Sequence, residues 1–135
     1  MVCIYCSSPT SVTNSRPQKS RNQTWRRRLC SSCGAVFTSI EAIDLSQALA
    51  VQYTDATKLA PFDRDRLFIS LYNSLRHRPA ASREARELAD TVTAHIILQA
   101  EHGRITARTI AESCLNTLQR FDKAAATHYA AFHPL

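Results

Sequence analysis

The sequence predicts an α+β fold in which a small β module precedes a short β-hairpin and four helices. Two C-x2-C pairs enclose short β-prone runs within the first 45 residues. Two further β-prone segments follow at residues 49–54 and 57–59, and apolar residues then recur at helical spacing from Leu67 onward. The 135 residues provide for one small domain plus a minimal metal module, and we predict domains at 1–45 and 46–135.

The N-terminal module contains two cysteine pairs separated by 23 residues. Two such knuckles supply four thiolates, the donor set of tetrahedral zinc, and ligand type favours zinc over iron. Disulfides or a redox dithiol are the alternatives. The chain opens with no apolar signal segment, which predicts a reducing cytoplasm, and no βαβ pattern surrounds either pair. We therefore predict a structural Zn²⁺ held by Cys3, Cys6, Cys30 and Cys33.

Three β-prone runs, at residues 11–13, 24–26 and 35–38, predict hairpins that carry the two knuckles. Gly34, directly after Cys33, suits the positive-φ turn that a knuckle requires. Large apolar residues are sparse here, so burial alone is too weak to fold the module. Structural zinc contributes about 10–16 kcal/mol of apparent binding energy, which becomes folding energy.

The segment between the cysteine pairs is strongly basic. It holds six cations and no acidic residue, within a chain of net charge +6. In a strand, Arg26 and Arg28 share one face and Arg27 takes the other, while Trp25 is predicted to pack as a core plug. A solvated basic face is the alternative. Because arginine suits phosphates and guanine edges, we predict nucleic-acid contact by Arg16, Arg26, Arg27 and Arg28.

The C-terminal domain is predicted to begin with two short strands at residues 49–54 and 57–59, joined by a turn at Asp55-Ala56. Asp63 is the predicted N-cap of the first helix, which Pro79 ends. The next helices are predicted to be capped by Ser82, Thr106 and Asp122. Leu88, Val92, Ile96 and Ile97 of the second helix are predicted to face inward. The first and third helices carry apolar residues at helical spacing, namely Leu67, Phe68, Leu71, Tyr72, Leu75, Ile110, Cys114, Leu115, Leu118 and Phe121, and the alanine-rich fourth helix carries Tyr129 and Phe132.

No catalytic constellation emerges from the sequence. The five histidines are scattered, and two glycines leave no room for a P-loop or a G-x-G-x-x-G turn. No apolar stretch is long enough to span a membrane. We therefore predict a protein that is not an enzyme and has no membrane partner.

The ordered motifs resemble those of the bacterial ribonucleotide-reductase repressor family, NrdR, in which a zinc ribbon precedes an ATP-cone domain. The matching segments extend along nearly the whole chain: Cys3-x2-Cys6, Asn14-Ser15-Arg16, Arg26-Arg27-Arg28-Leu29-Cys30-x2-Cys33, Phe37-Thr38-x2-Glu41, Pro61-Phe62-Asp63-x2-Arg66-Leu67, Arg78-Pro79 and Phe121-Asp122-Lys123.

The resemblance implies a zinc-dependent transcriptional repressor of reductase genes, in the bacterial cytoplasm at the nucleoid. The ribbon would bind double-stranded operator DNA through Arg16 and the Arg26–Arg28 run. The cone would bind ATP or dATP, adenine nucleotides that alter the homo-oligomer and hence DNA binding. Carried over by motif, the nucleotide-binding residues are Val51, Lys58, Asp63 and Arg66.

The hairpin departs from the family pattern Val-x-Lys-Arg-Asp-Gly and reads Val51-Gln-Tyr-Thr-Asp-Ala, so both expected phosphate cations are absent. Ala60 replaces the usual Glu before Pro-Phe. One hypothesis is a nucleotide-responsive repressor with a rewired phosphate site. A second is a DNA-binding ribbon on a degenerate cone that serves only as an oligomerisation module. A third is a ribbon that binds RNA or protein.

Overall fold

The computed structural model describes residues 1–54 and 57–134. They form two compact units, Met1–Asp44 and Leu45–Leu135. The first unit is a β ribbon with four cysteines and the second is mainly helical, so the predicted α+β class is confirmed. No helix in the described part of the chain combines the length and the apolar character that crossing a membrane requires.

The first unit is built on one antiparallel sheet of three strands, β1 (Thr10–Gln18), β2 (Gln23–Cys30) and β3 (Val36–Ala42), in the order β1-β2-β3. A 3-10 turn and Asn22 in the left-handed conformation close the first hairpin. A register shift between Val12 and Asn14 interrupts the pairing of β1 with β2. Each of the three β-prone runs overlaps a strand, which confirms these predictions.

This unit has almost no apolar core. Across residues 1–44, all of them described, only Cys3 and Cys30 are buried. Trp25 is half-buried on one face of the sheet, beside Ile40, which is 58% exposed. The prediction of Trp25 as a core plug is therefore wrong, because a single sheet has no second layer to enclose it.

The second unit contains a small mixed sheet of strands β4 (Ala50–Gln52), β5 (Leu59–Pro61) and β6 (Arg104–Thr106), in the order β5-β4-β6. A short helix, α1 (Leu45–Ala48), precedes it. The second strand begins at Leu59 rather than at residue 57, since Ala50 pairs with Pro61. The predicted turn at Asp55-Ala56 lies outside the described residues, and β6 was not predicted.

Four helices follow as predicted: α2 (Arg64–Leu75), α3 (Ala81–Gln99), α4 (Ala107–Phe121) and α5 (Lys123–Phe132). Asp63, Thr106 and Asp122 accept hydrogen bonds from N–H groups of the first turns of α2, α4 and α5, which confirms three of the caps. The prediction that Ser82 caps α3 is wrong. The turn after α2 leads directly into Ala81, so Ser82 lies inside the first turn.

The core of this unit lies between the helices and the small sheet. Cys114 is fully buried, as predicted. Ile97 is 45% exposed, so its predicted inward position is wrong. Ile97 follows Ile96, which already faces the core. The largest fully buried side chains of this core are Leu71, Leu75, Val92, Ile96, Cys114 and Leu118.

Arg78 connects three helix ends. Its guanidinium donates to Glu84 in the first turn of α3 at 2.7 and 2.9 Å, and to Asp122 between α4 and α5 at 2.8 Å. The same group lies 4.8 Å from the centroid of the Phe121 ring. This residue therefore joins the ends of α2, α3 and α4 through charge-assisted hydrogen bonds.

Candidate metal centre and binding surfaces

The four predicted metal ligands converge on one point. The Sγ atoms of Cys3, Cys6, Cys30 and Cys33 all lie within 4.8 Å of one another. Two of the separations are 3.6 Å (Cys3–Cys33) and 3.5 Å (Cys6–Cys30). A Zn–S distance of about 2.3 Å requires S–S edges of about 3.8 Å in a tetrahedron. The donor set and its dimensions therefore fit a structural Zn²⁺.

The two knuckles repeat the same backbone design. The N–H of Ser7 donates to the carbonyl of Cys3, and the N–H of Gly34 donates to that of Cys30, both at 3.0 Å. Ser7 has φ 59° and Gly34 has φ 72°, so both adopt the left-handed conformation. Glycine was predicted for this turn, whereas Ser7 adopts it against the steric preference of its Cβ. Ser7 keeps this strained conformation because the surrounding knuckle fixes the backbone geometry.

The electrostatics of the cluster favour a bound cation. Hydrogen bonds from Ser8 lower the pKa of Cys6 to about 6. The backbone N–H of Ala35 lowers that of Cys33, but contacts with Cys6, Cys3 and Cys30 outweigh it and raise the pKa to about 12. Neighbouring thiols thus resist simultaneous ionisation, and a divalent ion is the group that stabilises four thiolates together.

Arg26 and Arg28 share one face of the ribbon sheet, as predicted from strand alternation. Arg26 donates to the Glu41 carboxylate at 2.7 and 3.2 Å and to Ser15 Oγ at 3.1 Å. Arg28 donates to Ser39 Oγ at 2.8 Å. Both side chains are half-buried and cross the sheet from strand to strand. We call this the braced face, defined by Arg26, Arg28, Ser39 and Glu41.

The opposite side carries the other two candidate arginines. Arg27 lies on it by alternation, and Arg16 joins it because Arg16 pairs with Trp25 across β1 and β2. Both arginines are exposed. Trp25 in turn pairs with Ile40 on β3. We call this the open face, defined by Arg16, Trp25, Arg27 and Ile40. On this face the two arginines therefore lie beside the apolar side chains of Trp25 and Ile40.

Three of the four candidate nucleotide residues come together in the second unit. Val51, Asp63 and Arg66 line a cleft of about 170 Å³ between the small sheet and helices α2, α4 and α5. Asp63 uses its carboxylate to cap α2, and Arg66 donates to the Tyr53 hydroxyl at 3.3 Å. Lys58 is outside the described lining of this cleft.

Sequence reasoning missed three further polar residues of the cleft. Ser70, Tyr129 and His133 line it together with apolar residues of the sheet, α2 and α4. Burial raises the pKa of Tyr129 and lowers that of His133, so both are neutral near pH 7. Tyr129 was predicted only as a member of the alanine-rich fourth helix. The sequence favours a surface or helix-end position for each histidine, and His133 is indeed the C-cap of α5. Its contact with Ser70, 63 positions away, leaves no local signal.

Comparisons with known proteins agree with this architecture. A family model described as the N-terminal domain of NrdR-like transcriptional repressors matches residues 1–41. A transcriptional repressor NrdR of Azorhizobium caulinodans is 32% identical, over 98% of this chain and 76% of its own length. The protein of the same name from Sinorhizobium fredii is 34% identical, over 98% of this chain and 83% of its own length.

Proposed function

The chain belongs to the NrdR family of transcriptional repressors, and we propose that it represses ribonucleotide-reductase genes by binding duplex operator DNA through its zinc ribbon. The proposal places the protein in the cytoplasm, at the nucleoid. ATP and dATP are the proposed effectors. They bind the helical unit and change the homo-oligomer, and an oligomer that presents several ribbons at once gains affinity for DNA.

The open face is the observation that supports DNA binding best. Arg16 and Arg27 are exposed there beside Trp25. Arg26 and Arg28, by contrast, are directed along the sheet by Glu41, Ser15 and Ser39. We therefore assign direct DNA contact to Arg16 and Arg27. Arg26 and Arg28 contribute positive potential and hold the strands in place.

Paired variants test this assignment. Arg16→Ala with Arg27→Ala removes two charges from the open face, and Arg26→Ala with Arg28→Ala removes two from the braced face. Binding to a labelled duplex from upstream of a reductase gene is measured by fluorescence anisotropy across a salt series. The open-face variant should weaken binding and flatten the salt slope by about two units, since each phosphate contact contributes about 0.9.

The braced-face variant is the matched control. It should lower the free energy of unfolding of the ribbon and leave the salt slope of DNA binding close to that of the parent chain. A flattened slope in that variant alone would assign DNA to the other face. Unchanged binding by both variants would remove the ribbon from DNA recognition. Equal competition by RNA of the same sequence would favour an RNA-binding ribbon over an operator-binding one.

Nucleotide control is supported by the cleft in the second unit. Its walls are largely apolar, as for a purine base, and Arg66 adds a cation next to the N-terminus of α2. A cone that serves only for oligomerisation is the second candidate. It is favoured by one observation: among the described cleft residues, the charge of Arg66 is offset by Asp63.

A further inference from the structure

A groove with several polar side chains in its lining runs along the seam between α2 and α5. Its volume is about 670 Å³, within the range of about 300–1,000 Å³ that ligand pockets occupy. The two helices meet there through a ladder of polar contacts. Ser70 Oγ lies 2.8 Å from His133 Nε2, and Ser74 Oγ lies 3.3 Å from His128 Nδ1.

The described lining of this groove has the chemistry of an anion site. It contains one guanidinium, that of Arg76, and three imidazoles, with hydroxyl and amide groups between them and no carboxylate. Asp122, which accepts from His77 Nε2 at 3.1 Å and from Arg78 at 2.8 Å, is absent from the lining. His77 binds Asp122 through Nε2 and His128 binds Ser74 through Nδ1, so each imidazole has its other ring nitrogen for a ligand.

The groove and the cleft share a wall. Ser70 and His133 line both spaces, and the two side chains are hydrogen-bonded to each other between them. His133 is the C-cap of α5 and stacks on Tyr129 with ring centroids 4.2 Å apart. Because His133 lies at the end of α5, its side chain can change rotamer without disturbing the packing of the core. The cleft alone, about 170 Å³, is below the usual size of a ligand pocket.

We propose that a nucleotide bound by this chain places its base in the cleft and its phosphates in the groove, against Arg76, His77 and His128. His133 turns away from Ser70 to join the two spaces. Ser70 and His77 are seven residues apart on α2 and its C-terminal turn, or about 10 Å, which accommodates a phosphate chain. The inference rests on the proposed nucleotide response. It accounts for phosphate binding without the Lys-Arg pair of the family pattern, which is absent from the hairpin of this chain.

The experiment measures ATP and adenosine binding to the zinc-loaded full chain by calorimetry. Arg76→Ala and His128→Gln are exposed substitutions that preserve the fold, which circular dichroism checks. Each should weaken ATP binding about tenfold or more, because a charge-assisted hydrogen bond is lost, and leave adenosine binding unchanged. Arg86→Ala removes the same charge from an exposed position of α3 and should bind ATP like the parent chain.

Other outcomes separate the two levels of the proposal. Parent-like ATP binding by both groove variants, together with loss in Arg66→Ala or Lys58→Ala, would overturn the groove assignment and keep the nucleotide response. Equal losses of ATP and adenosine affinity in Arg76→Ala would also overturn it. The absence of ATP and dATP binding by the parent chain at millimolar nucleotide would overturn the proposed nucleotide response itself.

Discussion

Asp122 uses one carboxylate for three partners. Its Oδ1 accepts the N–H of Ala125 in the first turn of α5 at 2.9 Å. Its Oδ2 accepts from His77 at 3.1 Å and from Arg78 at 2.8 Å. These hydrogen bonds, that of Ala125 first, hold the pKa of the carboxyl well below its usual range. The charged form of Asp122 therefore stabilises the junction of α2, α4 and α5.

Asp122→Asn should lower the stability of the helical unit near neutral pH. Because the folded-state pKa lies below the unfolded value, the stabilisation is present above about pH 4 and is lost as the pH falls toward the folded-state pKa. The difference between the parent chain and the variant should therefore shrink between pH 5 and pH 2. Urea denaturation followed at 222 nm across this range measures it.

Asp90→Asn is the matched control, since Asp90 pairs with Arg64 at an exposed position. Its effect should be smaller, as expected for surface ion pairs. An Asp122→Asn curve that runs parallel to that of the parent chain over the whole pH range would contradict the role of the charged carboxylate.

Prediction from sequence succeeded at residues whose geometry is local. The cysteine spacing and strand alternation were enough to place the four thiols and to separate Arg27 from Arg26 and Arg28. The side chains that these arginines contact could not be predicted from the sequence. Glu41 meets Arg26 only through the register of β2 and β3, and Arg16 reaches the open face only after the register shift in β1.

At the scale of elements, the ribbon sheet depends on its knuckles. Neither face of the sheet carries a buried side chain other than a cysteine, and the two buried cysteines are candidate metal ligands. The helical unit has its own apolar core. The two kinds of element therefore have separate sources of stability, and the loss of zinc should act on one of them.

Removal of zinc by a strong chelator should unfold strands β1–β3 of the ribbon and leave α2–α5 folded. The reason is that about 10–16 kcal/mol of apparent zinc binding energy is lost from the ribbon alone. Trp25, the only tryptophan of the chain, lies in β2 and reports the ribbon by fluorescence. Ellipticity at 222 nm reports the helices. Cys30→Ser should reproduce the effect without chelator. A simultaneous loss of both signals would show that the two units unfold as one.

Prediction of elements was good for long helices and poor for short strands. Helices α2 to α5 each contain several turns of apolar periodicity, and three have side-chain caps. Strand β6 has three residues, too few for a period of two to be recognised, and is defined by its parallel partner β4. Ser82 was a plausible cap by residue type, but the preceding turn set the start of α3.

At the scale of the whole molecule, the proposed functions are divided between the two units. The open face belongs to the ribbon, and the cleft and groove belong to the helical unit. The proposed function requires a nucleotide to change DNA binding through the number of chains that assemble, since a ligand shifts an equilibrium between states that it binds unequally.

Size-exclusion chromatography with light scattering should therefore give different masses for the nucleotide-free, ATP-bound and dATP-bound protein. Arg76→Ala should need more ATP for the same change, and Arg86→Ala should not. One mass in all three states, with no bound nucleotide, would favour a cone that serves only as a fixed oligomerisation module.

The parallel pairing of β4 with β6 sets an order of events on the ribosome. Residues 1–44 contain all the strands of the ribbon and its four candidate zinc ligands, so that unit is complete early in synthesis. Strand β4 emerges next, but its neighbour β6 is separated from it by α2 and α3. The helical unit completes its sheet only after Thr106 has been added, and its core only after α5. Under the proposed function, the nascent chain therefore completes the DNA-binding unit before the nucleotide-binding unit.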